Sequence, residues 1–244
     1  MGIDNLYGKV KRVDKTVRVK LVKRTLEFNN ESENIVYRRL VDGDLEYECE
    51  IVSADHVSIE PVAPVFVPKQ LTRYILVEFI NNVLLPPEGV ARGYTTIPVD
   101  IAVFSVKNSE YKVVDVFSEN KVKYALYGPK DEGLIARYYR SRFTHIPVEP
   151  AYFMEALVPV EIVNSHGKWV NLRQLLLDSY MLYFYYKPEG LAYTQGIRVN
   201  ITSETTATIE YTKEKKKDLP EAKKPIKTSI LVHSHRKTEM MWGL

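Results

Sequence analysis

Apolar and polar residues alternate with a period of two along most of this chain. In residues 16–28 (TVRVKLVKRTLEF), Val17, Val19 and Leu21 fall opposite Arg18, Lys20 and Val22, which predicts a strand with one wet face. Ile35 to Val41 and Leu45 to Val52 repeat the pattern around Asp42-Gly43-Asp44, a strong hairpin signal. Arg73 to Ile80 is an apolar run of buried-strand length. Thr95 to Val106 puts Ile97, Val99, Ile101 and Val103 on one side, and Tyr111 to Phe117 follows as a further strand. Glu155 to Val163, Met181 to Lys187, Ile197 to Thr212 and Thr228 to His235 complete the set of predicted strands.

Two stretches depart from this rhythm. Between Val57 and Val67, Pro61, Pro64 and the following Pro68 argue against a central strand and against any helix, so a subdomain boundary is placed there. Asn171 to Tyr180 (NLRQLLLDSY) is the best helix candidate: Asn171 can cap it, and Leu172, Leu175 and Leu176 sit at helical spacing. The same residues also suit a twisted buried strand. The lysine-rich stretch 213–227, broken by Pro220 and Pro225, reads as a mobile loop, and Arg236 to Leu244 has no strong preference. The expected fold is mainly β. It is an antiparallel β-sandwich-type architecture with at most one or two short helices. It divides into an N-terminal β subdomain at 1–68 and a main domain at 69–244 that carries the basic loop.

The most constrained stretch is Lys121 to Arg142 (KVKYALYGPKDEGLIARYYRSR), two strand-like runs around Gly128-Pro129 and Asp131-Glu132-Gly133. A hairpin with a four-to-six-residue loop is the economical reading. Lys123, Tyr124, Tyr127, Arg137, Tyr138, Arg140 and Arg142 are its candidate binding residues. Arginine beside tyrosine can hold phosphates or stack bases. Arginine can equally pair with a carboxylate while its stem packs on neighbouring rings, the commoner use of the residue.

Charge changes the picture more than composition does. The formal net charge is +3, but Lys9 to Arg24 carries +7 and Lys213 to Lys227 carries +4, which leaves the rest of the 244 residues at −8. Basic segments on an acidic body suit contact with nucleic acid, with acidic headgroups or with a second subunit, or they form a solvated face. The single cysteine, Cys49, excludes an intramolecular disulfide and reads as a small buried hydrophobe. Three glutamines (Gln70, Gln174 and Gln195) among many lysines and glutamates suit a heat-adapted organism. No apolar run has signal-peptide or membrane-spanning length, so a cytoplasmic protein is expected.

Chemistry-bearing motifs are sparse. His233 and His235 lie on one face of a predicted strand at a spacing that metal sites use, but no third ligand is announced. No CxxC, HExxH, GxSxG, Walker loop or GxGxxG occurs, and no cofactor is implied. The chain resembles an archaeal family of unknown function, DUF432, over roughly residues 70–145. The resemblance rests on Lys123-Tyr124-Ala125-Leu126-Tyr127-Gly128, Gly133, Arg137-Tyr138 and Ser141, with Pro98-Val99-Asp100-Ile101-Ala102-Val103-Phe104 and Val77-Glu78-Phe79 upstream. It implies an archaeal source and a β-rich fold, and it brings no activity or catalytic residues. The expectation is a binding or scaffolding protein without a catalytic site, acting on a protein partner or on itself. The alternatives are a nucleic-acid binder using residues 9–24, 137–142 and 213–227, and a metal-dependent enzyme around His233 and His235.

Overall fold

A computed structural model describes residues 7–10, 16–31, 33–67, 71–212, 216–225 and 237–241. In chain order the first strands are β1 (Gly8–Val10), β2 (Thr16–Lys20), β3 (Arg24–Glu31), β4 (Asn34–Val41), β5 (Asp44–Ile51) and β6 (His56–Val62). The middle of the chain adds β7 (Tyr74–Leu85), β8 (Val90–Pro98), β9 (Asp100–Lys107), β10 (Glu110–Phe117), β11 (Tyr124–Tyr127) and β12 (Leu134–Ser141). The remainder adds β13 (Glu155–Asn164), β14 (Val170–Asp178), β15 (Phe184–Lys187), β16 (Leu191–Thr194), β17 (Ile197–Ile201), β18 (Ala207–Tyr211) and β19 (Lys237–Met240). One turn of 3-10 helix, Ser179–Met181, starts where the Asp178 carboxylate accepts the Tyr180 N–H at 3.0 Å.

The strands form four sheets, so the architecture is mainly β. β2-β3-β4-β5 is an antiparallel meander. Its last hairpin turns on Asp42 (φ 52°) and Gly43 (φ 93°), the pair of positive φ angles that a two-residue turn between right-twisted strands requires. β1-β6-β9-β10 forms a second sheet, β11-β12-β7-β14 a third, and β15-β16-β13-β17-β18-β19 a fourth, with β8 along the other side of β13. Most pairs are antiparallel, but β7 runs parallel to β12, and β13 runs parallel to both β16 and β17. The predicted run Thr95–Val106 serves two sheets: β8 pairs with β13, and β9 with β6 and β10. Ile97, Val99, Ile101 and Val103 along it are all fully buried, which ties the two sheets into one core. That core runs continuously from Tyr7 to Met240, and the β6–β9 pairing joins strands from either side of residues 68 and 69.

Four expectations are corrected. β6 is an internal strand of its sheet despite Pro61. β1 covers only Val57–Ile59, so Pro61 has no partner strand on its other side, where a missing N–H breaks no ladder bond. Asn171–Asp178 forms strand β14 and not a helix. Leu175, Leu176 and Leu177 are buried in succession, as in a strand covered on both faces, and the Asn171 side-chain oxygen caps nothing. Lys237–Met240, without any local preference, becomes a strand because β18 offers it an edge. Residues 216–225 of the basic loop are docked: the Ala222 N–H donates to Phe184 O (2.8 Å), the Tyr186 N–H to Pro220 O (3.2 Å), and the Lys223 N–H to the buried Glu60 carboxylate (2.6 Å). The predicted strand Thr228–His235 lies outside the described residues.

Candidate functional site

The hairpin forms as expected, with β11 and β12 in register from Tyr124↔Arg137 to Tyr127↔Leu134. The pleat then divides its candidate residues between two environments. Tyr127 and Arg137 are buried, at 2% and 1% exposure. Tyr124 is half-buried, its hydroxyl donating to Val67 O at 2.7 Å. Lys123, Arg140 and Arg142 are exposed, and the half-buried Tyr138 shares Glu78 with Arg140. No single surface gathers all seven.

Arg137 enters instead a buried polar centre with Asp100, Ser118 and Tyr124. Its Nη2 donates to Ser118 Oγ at 3.3 Å, and its guanidinium lies 5.8 Å from the Tyr124 ring centroid. Asp100 is fully buried, and burial pushes its carboxyl up to about 7, although Arg137, the Ser118 hydroxyl and the Phe66 N–H draw it back. A carboxylate inside the apolar run Val99–Phe104 was the sequence signal for this centre. An ionisable residue there either faces a partner or disrupts the sheet. The centre links β9 to β12 across two sheets, and both Asp100 and Arg137 are closed off from solvent.

The basic segments also find their places. Arg18 pairs with Glu27 (2.6 Å), and Arg24 pairs with Glu46 (2.8 Å) and with the buried Glu119 (3.2 Å). Lys23 Nζ donates to Glu119 O (3.0 Å), and Arg39 bridges Glu46 and Asp115. The acidic excess of the body is thus used within the fold, clamping the β2–β5 sheet onto β10 and the chain after it. The described parts of the three basic stretches belong to several sheets: the end of β1 with β2 and the start of β3, strand β12, and the edge beside β15. Cys49 is half-buried, and burial raises its thiol pKa. Among the described residues no three of His, Cys, Asp and Glu stand together as metal ligands, and His233 and His235 lie outside those residues. Among them, too, no helix is long and apolar enough to cross a membrane.

A roomy opening of about 560 Å³, not foreseen from the sequence, lies on the outer face of the seven-stranded sheet. Its floor is low where Gly196, just before β17, lies beside Pro159 of β13: a methyl on Gly196 would stand 3.8 Å from Pro159 Cβ. Along one side runs a cross-strand row in register: Arg92↔Glu161, Glu161↔Arg198 and Arg198↔Glu210. Arg92 gives Glu161 Oε1 two hydrogen bonds (2.9 and 2.7 Å), and Arg198 Nε lies 3.7 Å from Oε2. Each opposite-charge pair contributes roughly 0.2–1 kcal/mol to the sheet. The wall is the segment Phe143–His145, held on β8 by reciprocal Tyr94–Thr144 backbone bonds (2.7 and 2.9 Å) and by His145 Nδ1 at 3.0 Å from Arg92 O. Thr212 Oγ1, buried at one end of the cleft, has no partner among the described residues. No local feature marks that floor, because the pairing of strands 30 or more residues apart cannot be read from the chain.

A family model described as "Protein of unknown function (DUF432)" matches residues 6–241. The chain belongs to the DUF432 family. The match spans the buried centre, the cleft and all four sheets, well beyond the 70–145 stretch that carried the resemblance in sequence. No curated protein and no solved structure matches the chain. Of the residues that signalled the DUF432 resemblance, Tyr124, Asp100 and Arg137 are the ones that meet in the buried centre, so that signature reports architecture before it reports chemistry.

Proposed function

We propose that this DUF432 chain is a binding protein that holds a small ligand bearing both signs of charge in the cleft of the seven-stranded sheet. One observation carries the reading. The opening has a size typical of ligand sites and sets alternating guanidinium and carboxylate groups beside a low floor at Gly196 and Pro159. Guanidiniums 78% and 51% exposed can turn from Glu161 to a ligand carboxylate, which frees Glu161 for a ligand cation. Thr212 Oγ1 and the remaining ring nitrogen of His145 supply hydrogen bonds at the ends. The glutamine-poor composition supports a heat-adapted archaeal source, and the single cysteine supports a reducing, cytoplasmic compartment.

Titration calorimetry with the dipeptide lysyl-glutamate tests the reading. Saturable heat with a dissociation constant on the order of 1 mM or tighter is expected, weakened at least about tenfold by Glu161→Gln. Absence of saturable heat with this probe and with singly charged amines and carboxylates of similar size would refute a charged-ligand cleft.

A further inference from the structure

The β2–β3–β4–β5 sheet carries a second row of alternating charge, and its symmetry points to a partner. Arg18↔Glu27, Glu27↔Arg38 and Arg38↔Glu48 are in register, one residue from each strand. Arg18 Nε lies 2.6 Å from Glu27, and Arg38 bonds Glu48. All four stand on the face turned away from the core, because their neighbours Val17, Val19, Leu26, Phe28, Ile35 and Tyr37 are buried on the other.

A row of four alternating charges ends in opposite signs. Two such rows placed face to face about a two-fold axis parallel to the strands meet in reverse order. Arg18 then faces the other copy's Glu48, and Glu27 faces its Arg38, so all four cross-contacts are attractive. The flanking positions agree: Lys20 and Thr25 meet Leu45 and Leu40, and Leu45 is 56% exposed. No like charges are opposed. The cleft row cannot do the same. That row lies in a recess, where a second copy's sheet face cannot reach it.

We propose that the outer face of the β2–β5 sheet is a docking surface for a second copy of this chain, closing a two-fold dimer by charge complementarity. The contact is polar, so its strength depends on ionic strength.

Sedimentation velocity tests it. A dimer is expected at about 0.05 M salt, with its dissociation constant raised at least about tenfold at about 0.5 M. Arg18→Glu sets two carboxylates against each other at both ends of the paired rows and should give monomer. Glu48→Lys sets an ammonium against Arg18 of the other copy and should do the same. An equimolar mixture of the two variants offers an attractive partner to each altered residue at one end and the native-like repulsion-free order at the centre. The end that joins the two altered positions regains its attraction with the signs exchanged, and the other end keeps the original pair. The mixture should therefore restore the dimer. A role confined to stiffening each sheet would not produce that rescue. A wild-type chain that stays monomeric at low salt would overturn the proposal, as would variants that dimerise alone, a mixture that does not, or species larger than two copies.

Discussion

Replacing Arg137 with methionine is expected to lower the free energy of unfolding by about 2–3 kcal/mol at pH 8, a midpoint loss on the order of 10 °C. Methionine fills much of the arginine's volume but removes the Ser118 hydrogen bond and the positive charge that draws the fully buried Asp100 carboxyl down. The size of the effect should depend on pH. Asp100 has a folded-state pKa of about 7, above its ordinary 3.8, so the folded protein binds this proton more tightly than the unfolded chain does. Its contribution is therefore most favourable below the unfolded value and declines as pH rises toward and through 7, by up to about 4 kcal/mol. Urea unfolding of Arg137→Met at pH 5 and pH 8 should show the smaller loss at pH 5, where Asp100 is already neutral. Asp100→Asn should flatten the wild-type slope between those pH values, and the double variant should recover most of what Arg137→Met loses. An Arg137→Met loss that does not change with pH would show that Asp100 does not depend on this arginine.

The second large effect is expected at Gly93. A methyl group there would lie 2.3 Å from Thr144 O and 2.7 Å from the Phe143 ring, and the first obstacle is backbone that is itself bonded to Tyr94. Gly93→Ala must push the Phe143–His145 segment off β8, at about 2–4 kcal/mol from overpacking and the strained Tyr94–Thr144 pair. The wall of the cleft moves with it, so any ligand heat should vanish while the fold survives. Gly196→Ala is the natural control. Its methyl meets Thr212 at 3.5 Å, an ordinary contact, and its stability change should stay within about 1 kcal/mol. Denaturant midpoints and calorimetry on both variants separate the two, and equal behaviour would mean that the wall does not rest on Gly93.

Local chemistry made some of this readable in the sequence and left the rest hidden. Asp42-Gly43 and the Gly128–Gly133 loop announce their hairpins because turn geometry depends on the residues in the turn itself. Leu172, Leu175 and Leu176 mislead because a strand buried on both faces and a helix face share that spacing over a few residues, and only the pairing of β14 with β7 decides between them. Lys237–Met240 has no intrinsic tendency and takes its form from the edge it meets. Both charge rows are invisible in the chain because each is written across strands. Four residues scattered between 18 and 48, or between 92 and 210, acquire a pattern only when register aligns them. The buried Arg137 shows the limit of composition most clearly: the same Arg-Tyr sequence would serve a surface or a core, and Asp100 on another sheet settles which.

The parallel partnership of β7 with β12 has a consequence for biosynthesis. Ile75 waits for Arg137, and Tyr74 for Asp178. At ribosomal rates of about 5–20 residues per second, the downstream strands emerge roughly 3 to 20 s after β7. Throughout that interval the nascent segment YILVEFI has neither neighbouring strand to pair with, and both of its edges are open to other chains.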